Sequence, residues 1–315
     1  MSKLKFLWID DEDRSPAFEN LKAQLKVEGK FINVTDEDSD YLTEIENIKP
    51  DLILIDHNLT ETTGDIKKGS TLAAQIREKH PRFPIACITG QDDPIDTQQK
   101  LSYEAIYKLH QIEHNYQSMK AIAQSFRKLN SSNPLNVNQL LNLIKLPELD
   151  RIRLESIMPQ EIKENFEDKA LFQNISHWIR NVLIARPGFL YDRLWTATYL
   201  GLTEPGFDRV EDLFKAAKYR GLFADNTSER WWKSKLLEVL SRKVKTTELP
   251  WEKGRSLPGI NLHFYSKDYY STNKEDQPEV VAYIDDSSDE RYPMKLKYTV
   301  LPLSMISFYI LRILG

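Results

Sequence analysis

Five polar residues stand directly after short apolar runs. Asp10 and Asp11 follow LKFLWI (4–9), Asp56 follows LILI (52–55), Thr89 follows IACI (85–88), and Lys108 follows AIY (105–107). Neighbouring carboxylates raise one another's pKa unless a cation lies among them, and an all-oxygen donor set suits Mg²⁺. With a metal neutralising two acids, a third carboxylate is free to attack phosphorus. A hydroxyl and an ammonium can then hold the equatorial oxygens as charge spreads over them. In that chemistry Asp56 is the candidate nucleophile, Thr89 and Lys108 are the candidate hydroxyl and ammonium, and Asp10 and Asp11 are candidate metal ligands. A single acid after a single strand is usually a solvated turn, so the reading rests on five such residues in register.

The chemistry requires a scaffold that delivers several strand ends to one rim. The four apolar runs, together with FINVT (31–35), read as five strands. Helical spacing lies between them: Phe18, Leu21 and Leu25; Tyr41, Leu42, Ile45 and Ile48; Leu72 and Ile76; Met119, Ile122, Phe126 and Leu129. Strands apolar throughout, alternating with one-sided helices, predict a doubly wound, flavodoxin-like α/β domain with a five-stranded parallel sheet covered on both faces. Ligands of such sheets sit beyond the carboxyl ends of the strands, where the five polar residues fall.

RKLNSSNPLN (127–136) reads as a linker, which gives a first domain over 1–130 and a second over 131–315. The second is predicted to be a mainly helical α+β domain. Helices, including PQEIKENFEDKALFQNISHWIRNVLIA and SERWWKSKLLEVLSRK, run to about residue 245, and NLHFYSK, EVVAYID and MKLKYTVL then form a small antiparallel sheet. The terminal SMISFYILRILG reads as a packed helix or a partner-binding segment, too short to span a bilayer.

The 315 residues, 41% hydrophobic and with a net charge of −4, exclude a disulfide miniprotein and a disordered tail. A lone Cys87 makes no internal disulfide and the N-terminus lacks a signal-like apolar run, so a cytoplasmic protein with no membrane contact is expected. Residues 1–130 hold 17 basic and 22 acidic residues, and the remainder holds 26 and 25; strong nucleic-acid binding is not expected of either half. One local excess runs from Glu229 to Arg255, with eight bases against four glutamates and Trp231, Trp232 and Trp251 interleaved. Such a mixture can grip nucleic acid, but Trp232, Leu236, Leu237 and Leu240 at helical spacing make the bases the wet face of a packed helix.

On Asp10-Asp11 in FLWIDDED, Asp56 in DLILIDHNL, Thr89 in IACITG and Lys108 in AIYKLH, the first 130 residues resemble the receiver domain of bacterial two-component response regulators. The resemblance implies phosphorylation of Asp56 with Mg²⁺, and that the backbone carbonyl of Asn58 joins the metal ligands. It implies a sensor histidine kinase or a histidine phosphotransfer protein as donor. No enzymatic activity is expected beyond the receiver's own phosphotransfer and dephosphorylation. The second half resembles no output family; it is expected to signal through an unknown protein target. The alternatives are a phosphate sink that competes for a shared kinase, a degenerate scaffold, and a nucleic-acid-binding regulator using segment 230–255.

Several positions depart from the receiver pattern. Leu109 replaces the proline after the lysine, Ala105 replaces the switch aromatic although Tyr107 is close, and the loop after Asp56 is about five residues longer than usual. That loop is read as a tolerated insertion, with a lid as the alternative. FQNISHWIRNVLI (172–184) partly resembles the histidine box of sensor kinases; with Trp178 and Val182 out of pattern, His177 is expected to be an ordinary residue of a packed helix.

Overall fold

The computed structural model describes residues 2–35, 41–60, 66–90, 95–132, 135–164, 170–225, 227–245, 250–260, 280–285 and 291–295. Two compact units interleave along the chain. The first comprises Met1–Leu146, Arg151–Val182 and Arg220–Ser228, and the second Pro147–Asp150, Leu183–Tyr219 and Glu229–Gly315. Packing therefore does not divide at residue 130, where the receiver-like pattern ends.

The first unit is built on a five-stranded, all-parallel sheet. Its elements begin with β1 (Lys5–Asp10), α1 (Ser15–Leu25), β2 (Glu28–Asn33), α2 (Tyr41–Ile48) and β3 (Leu52–Asp56). A hairpin, β4 (Asn58–Thr60) with β5 (Ile66–Lys68), precedes α3 (Gly69–Lys79). Then come β6 (Ile85–Thr89), α4 (Thr97–Lys100), β7 (Ala105–Lys108), a 3-10 turn over Leu109–Asn115, and α5 (Tyr116–Ser131). The order β2-β1-β3-β6-β7 is the doubly wound arrangement expected of buried apolar strands alternating with one-sided helices. Leu7 and Ile9 join Ile45, Leu72, Ala73 and Ile76 in one core, while Trp8, between them in sequence, meets Phe18 of α1 edge to face at 6.1 Å. That alternation is the period-two geometry of a strand buried on both faces.

Two expectations for this unit are corrected. The second strand starts at Glu28 and ends at Asn33, not over 31–35, because it pairs with β1 from Lys5 onward, out of sight of its own hydrophobic pattern. The linker over 127–136 is shorter than its composition suggests. α5 runs through Ser131, and the Ser131 and Ser132 hydroxyls donate back to the Lys128 carbonyl. The stretch read as helical over 159–185 holds α8 (Gln160–Glu164) and α9 (Leu171–Trp178), with α6 (Val137–Leu143) and α7 (Arg151–Ile157) before it; residues 165–169 lie outside the described residues. Beyond α9 the chain winds as a wider π-helix over Ile179–Ile184.

The later parts of this unit are anchored on α5. Phe126 contacts Phe172 of α9 at 6.4 Å and Phe223 at 6.0 Å, both near edge to face, and the Phe223 backbone N–H donates to Ser125 Oγ at 2.7 Å. Arg82 lies over the Phe172 ring at 5.2 Å.

The second unit contains β8 (Leu190–Tyr191), α10 (Arg193–Tyr199), α11 (Glu204–Val210), β9 (Trp231–Trp232), α12 (Lys233–Lys243) and α13 (Pro250–Arg255). Asp192 and Thr203 cap α10 and α11 through their side-chain oxygens. Trp231 and Trp232, expected to be helical, form a strand with β8. Both are fully buried, and two consecutive large side chains are buried on opposite sides by an extended backbone, not a helical one. The apolar face of α12 is narrower than expected: Leu236 and Leu240 are buried, but Leu237 is exposed. Its Lys235 and Arg242 both pair with Glu238, so part of the local positive excess is neutralised within the helix.

Near the end of the chain, β10 (Val280–Asp285) pairs antiparallel with β11 (Arg291–Lys295), which starts three residues before the anticipated MKLKYTVL. NLHFYSK, the rest of MKLKYTVL and SMISFYILRILG lie outside the described residues.

Candidate functional site

The sheet register places the candidate side chains at one end. Ile9 is level with Ile55, so Asp10 and Asp56 are the next residues on adjacent strands. Asp56 is level with Ile88, and Thr89 is level with Lys108. All four thus close their strands on the carboxyl rim, with Asp11 one residue beyond.

Their environments differ. Asp10 is buried, and its oxygens accept hydrogen bonds from Trp8 Nε1 at 3.1 Å and from the Glu12 N–H at 3.0 Å. Burial raises its pKa against those two bonds. Asp56 is half-buried and accepts the Asn58 N–H at 2.8 Å. Its pKa is pushed up to about 7, first by burial and then by the charges of Asp10 and Asp11. Among the described residues, no three His, Cys, Asp or Glu side chains close into a metal cage. Asp10 is buried and accepts hydrogen bonds on both oxygens, whereas Asp11 and Asp56 are partly exposed. Mg²⁺ keeps several waters and needs few protein oxygens, so two carboxylates and one backbone carbonyl, that of Asn58, suit it. The raised pKa of Asp56 comes first from its burial and then from the neighbouring acids, both of which a bound cation would oppose.

The rim includes residues that sequence reasoning missed. Gly69 opens α3 against the phosphoacceptor candidate: its N–H donates to the His57 carbonyl at 2.8 Å, and a Cβ there would fall 2.1 Å from the Asp56 backbone oxygen. The inserted hairpin β4–β5 is therefore closed at its base by a residue that tolerates no side chain. His57 is buried, and burial followed by the charge of Lys68 lowers its pKa, so its imidazole is neutral at neutral pH. Lys68 donates to Asn58 Oδ1. Beneath the rim lie Cys87, its pKa pushed up to about 12 by burial and the Asp56 charge, and Tyr103, raised by burial and by Cys87. Trp8 was findable, since a strand residue two before Asp10 shares its face. Tyr103 was not, because its place depends on a loop.

His177 lies on α9, as expected of a packed helix. Its Nε2–H donates to the Tyr103 carbonyl at 3.1 Å, which fixes the tautomer. In the second unit the bases around Arg230 are largely engaged: Lys218 pairs with Glu229 and Glu211, Arg193 with Asp208 and Glu211, and Arg230 donates to the Ile184 carbonyl. None of the helices among the described residues is long and apolar enough to cross a membrane.

Residues 7–123 match the family described as response regulator receiver domain. Among solved structures, the chain is similar to the signal receiver domain of an HD domain-containing protein from Pseudomonas fluorescens Pf-5, at 13% identity over 42% of this chain and 95% of that one, with a TM-score of 0.36. The putative response regulator NarL of Mycobacterium tuberculosis is 20% identical over 40% of this chain and 98% of its receiver domain, with a TM-score of 0.30. A Saccharomyces cerevisiae co-crystal structure of the histidine phosphotransfer signaling protein Ypd1 with the receiver domain of Ssk1 matches at 16% identity over 37% of this chain and 88% of that one, with a TM-score of 0.30. No curated protein matches the chain. With its parallel sheet and its acids, threonine and lysine on one rim, the segment from residue 7 to residue 123 is a response regulator receiver domain of two-component signalling.

Proposed function

We propose that the chain accepts a phosphoryl group on Asp56 from a phosphohistidine donor, a sensor histidine kinase or a histidine phosphotransfer protein, and signals through protein contact made by the residues after the receiver. The observation that carries this reading is the placement of Asp56: half-buried at the end of the central strand, level with Ile88 just before Thr89, and close to two further acids. An oxygen of the Asp56 carboxylate attacks phosphorus as the phosphorus–nitrogen bond of the donor breaks. The electron pair leaves on the imidazole nitrogen, which takes up a proton. Thr89 and Lys108 orient and neutralise the phosphoryl oxygens from the neighbouring strand ends. Asp11, Asp56 and the Asn58 carbonyl would hold Mg²⁺, with Asp10 behind them; the bound ion supplies charge neutralisation between carboxylate and phosphoryl oxygens.

Acetyl phosphate with Mg²⁺ tests the reading without a kinase. The intact mass should rise by one phosphoryl group on a bond stable to acid and labile to base, and the Asp56→Ala chain should remain unlabelled. Equal labelling of both chains would refute the assignment.

A further inference from the structure

The hairpin that follows Asp56 is rooted in the receiver. Leu59, in its first strand β4, is 1% exposed and joins the core shared by the sheet and α3. The second strand β5 ends at Lys68, and the next residue, Gly69, donates its N–H to the His57 carbonyl at 2.8 Å. The register between the two strands sets Asn58 opposite Lys68. Side chains directly opposite on paired strands share a face, and successive residues alternate faces. With Leu59 turned into the core, Asn58 and Lys68 are turned the other way, and Lys68 Nζ donates to Asn58 Oδ1.

Lys68 thus stands two hydrogen bonds from Asp56. Asn58, whose side chain it holds, donates its backbone N–H to Asp56 Oδ2 at 2.8 Å, and the carbonyl of the same residue is the one that would join the metal ligands. The charge of Lys68 also reaches His57, which lies between Asp56 and Asn58 in the chain. Helix formation gives no reason for a lysine here. It is the residue immediately before α3, its side chain makes no capping bond, and the positive end of the helix dipole repels a cation. Burial gives none either, because the side chain is exposed. A residue that works against its own helix is placed for something else, and its neighbours here are the groups around Asp56.

We propose that Lys68 is a second cation of the phosphoryl site, carried there by the inserted hairpin, which draws the incoming phosphoryl group toward Asp56 and opposes the Mg²⁺ held beside it. This rests on Asp56 being the phosphoacceptor. Lys108 closes β7 on the far side of β6, whereas Lys68 enters from the connection after β3, so the two ammonium groups come from different elements. A charge acts on the metal and on the phosphoryl group at once and with opposite sign. Loss of packing does not: a damaged hairpin would weaken the binding of both.

The test uses the full chain at low salt, with Mg²⁺ affinity read by calorimetry and the second-order rate of labelling by acetyl phosphate read by intact mass. One unit charge acting on a divalent ion several ångströms away through water changes its affinity by about threefold after screening. Lys68→Gln should therefore bind Mg²⁺ about threefold more tightly and, at saturating Mg²⁺, label about threefold more slowly. Lys68→Arg, which keeps the charge, should match the unaltered chain in both, and added salt should shrink both shifts. If Lys68→Gln weakens both quantities or leaves either unmoved, the proposal is overturned and the phosphoacceptor reading stands. A Lys68→Arg chain that behaves like Lys68→Gln overturns it in the same way. An unaltered chain that takes no label overturns both.

Discussion

The rim at the carboxyl ends of β1, β3 and β6 and the flank along β7 belong to one sheet and are built in opposite ways. At the rim, each polar group ends its own apolar strand, so chemistry is written locally. Asp10 draws its hydrogen bonds from Trp8 and Glu12, and Asp56 draws one from Asn58, all within two residues. Along the flank the contacts come from far away: Phe172 and Phe223 on Phe126, and Gln173 and His177 on the loop after α4. The difference teaches that a receiver's site can be inherited as a short pattern, whereas what listens to it is set by packing that no local pattern announces.

The largest effect should come from breaking the flank. Phe126→Ala removes a fully buried ring and its contacts with Phe172 and Phe223, and should lower unfolding stability in urea by about 3–5 kcal/mol, as truncations of buried aromatics do. A loss under about 1 kcal/mol would mean that the later segments do not rely on α5. For the same reason, a chain ended after α5 should bind a hydrophobic dye more strongly than the full chain.

Next in size is a pH effect at the rim. The pKa of Asp56 is raised from 3.8 to about 7, so the folded chain binds more protons than the unfolded one across that window. The contribution of this group to stability therefore falls as pH rises from about 4 to about 7, and is level above that. Asp56→Asn should consequently be more stable than the unaltered chain at about pH 8, by on the order of 2 kcal/mol, with the gap closing near pH 4. Denaturant melts of both chains at the two pH values decide it; a gap that widens toward acid would invert the sign and refute the account.

A smaller change separates the two leading acids. Asp11 is partly exposed, whereas Asp10 is buried, so Asp11→Ala should weaken Mg²⁺ binding by about tenfold, on the order of 1.4 kcal/mol, as judged by calorimetry. Unchanged affinity would remove Asp11 from the metal set. The smallest expected signal is for nucleic acid. Lys218, Lys235, Arg193 and Arg242 spend their charge on neighbouring carboxylates, so the full chain should show no submicromolar binding to duplex or single-stranded DNA at about physiological salt. Tight binding that collapses as salt rises would instead make segment 230–255 a nucleic-acid surface.

What could be read in advance follows the same division. The order and type of the receiver strands were legible because each is a buried apolar run ending in a polar residue; α3 was legible from the spacing of Leu72 and Ile76, but its start at Gly69 after a hairpin was not. The start of β2 was not, since Glu28 to Lys30 join the sheet by pairing with β1 rather than by apolarity. Trp231 and Trp232 misled because helical spacing downstream extended over them, while their burial on opposite faces is a strand property. Tyr103 was invisible for a different reason: its ring enters the core from a loop, and its carbonyl meets a histidine on α9, whose Phe172 packs on Phe126.

The central claim is that Asp56 is where this chain receives a phosphoryl group, and site mapping after acetyl phosphate and Mg²⁺ tests it most directly. Reductive trapping of the acyl phosphate followed by peptide sequencing should place the modification on the peptide that contains DLILIDHNL, at Asp56, with none on Asp10 or Asp11. Modification on another residue, or undiminished labelling of Asp56→Ala, would contradict it.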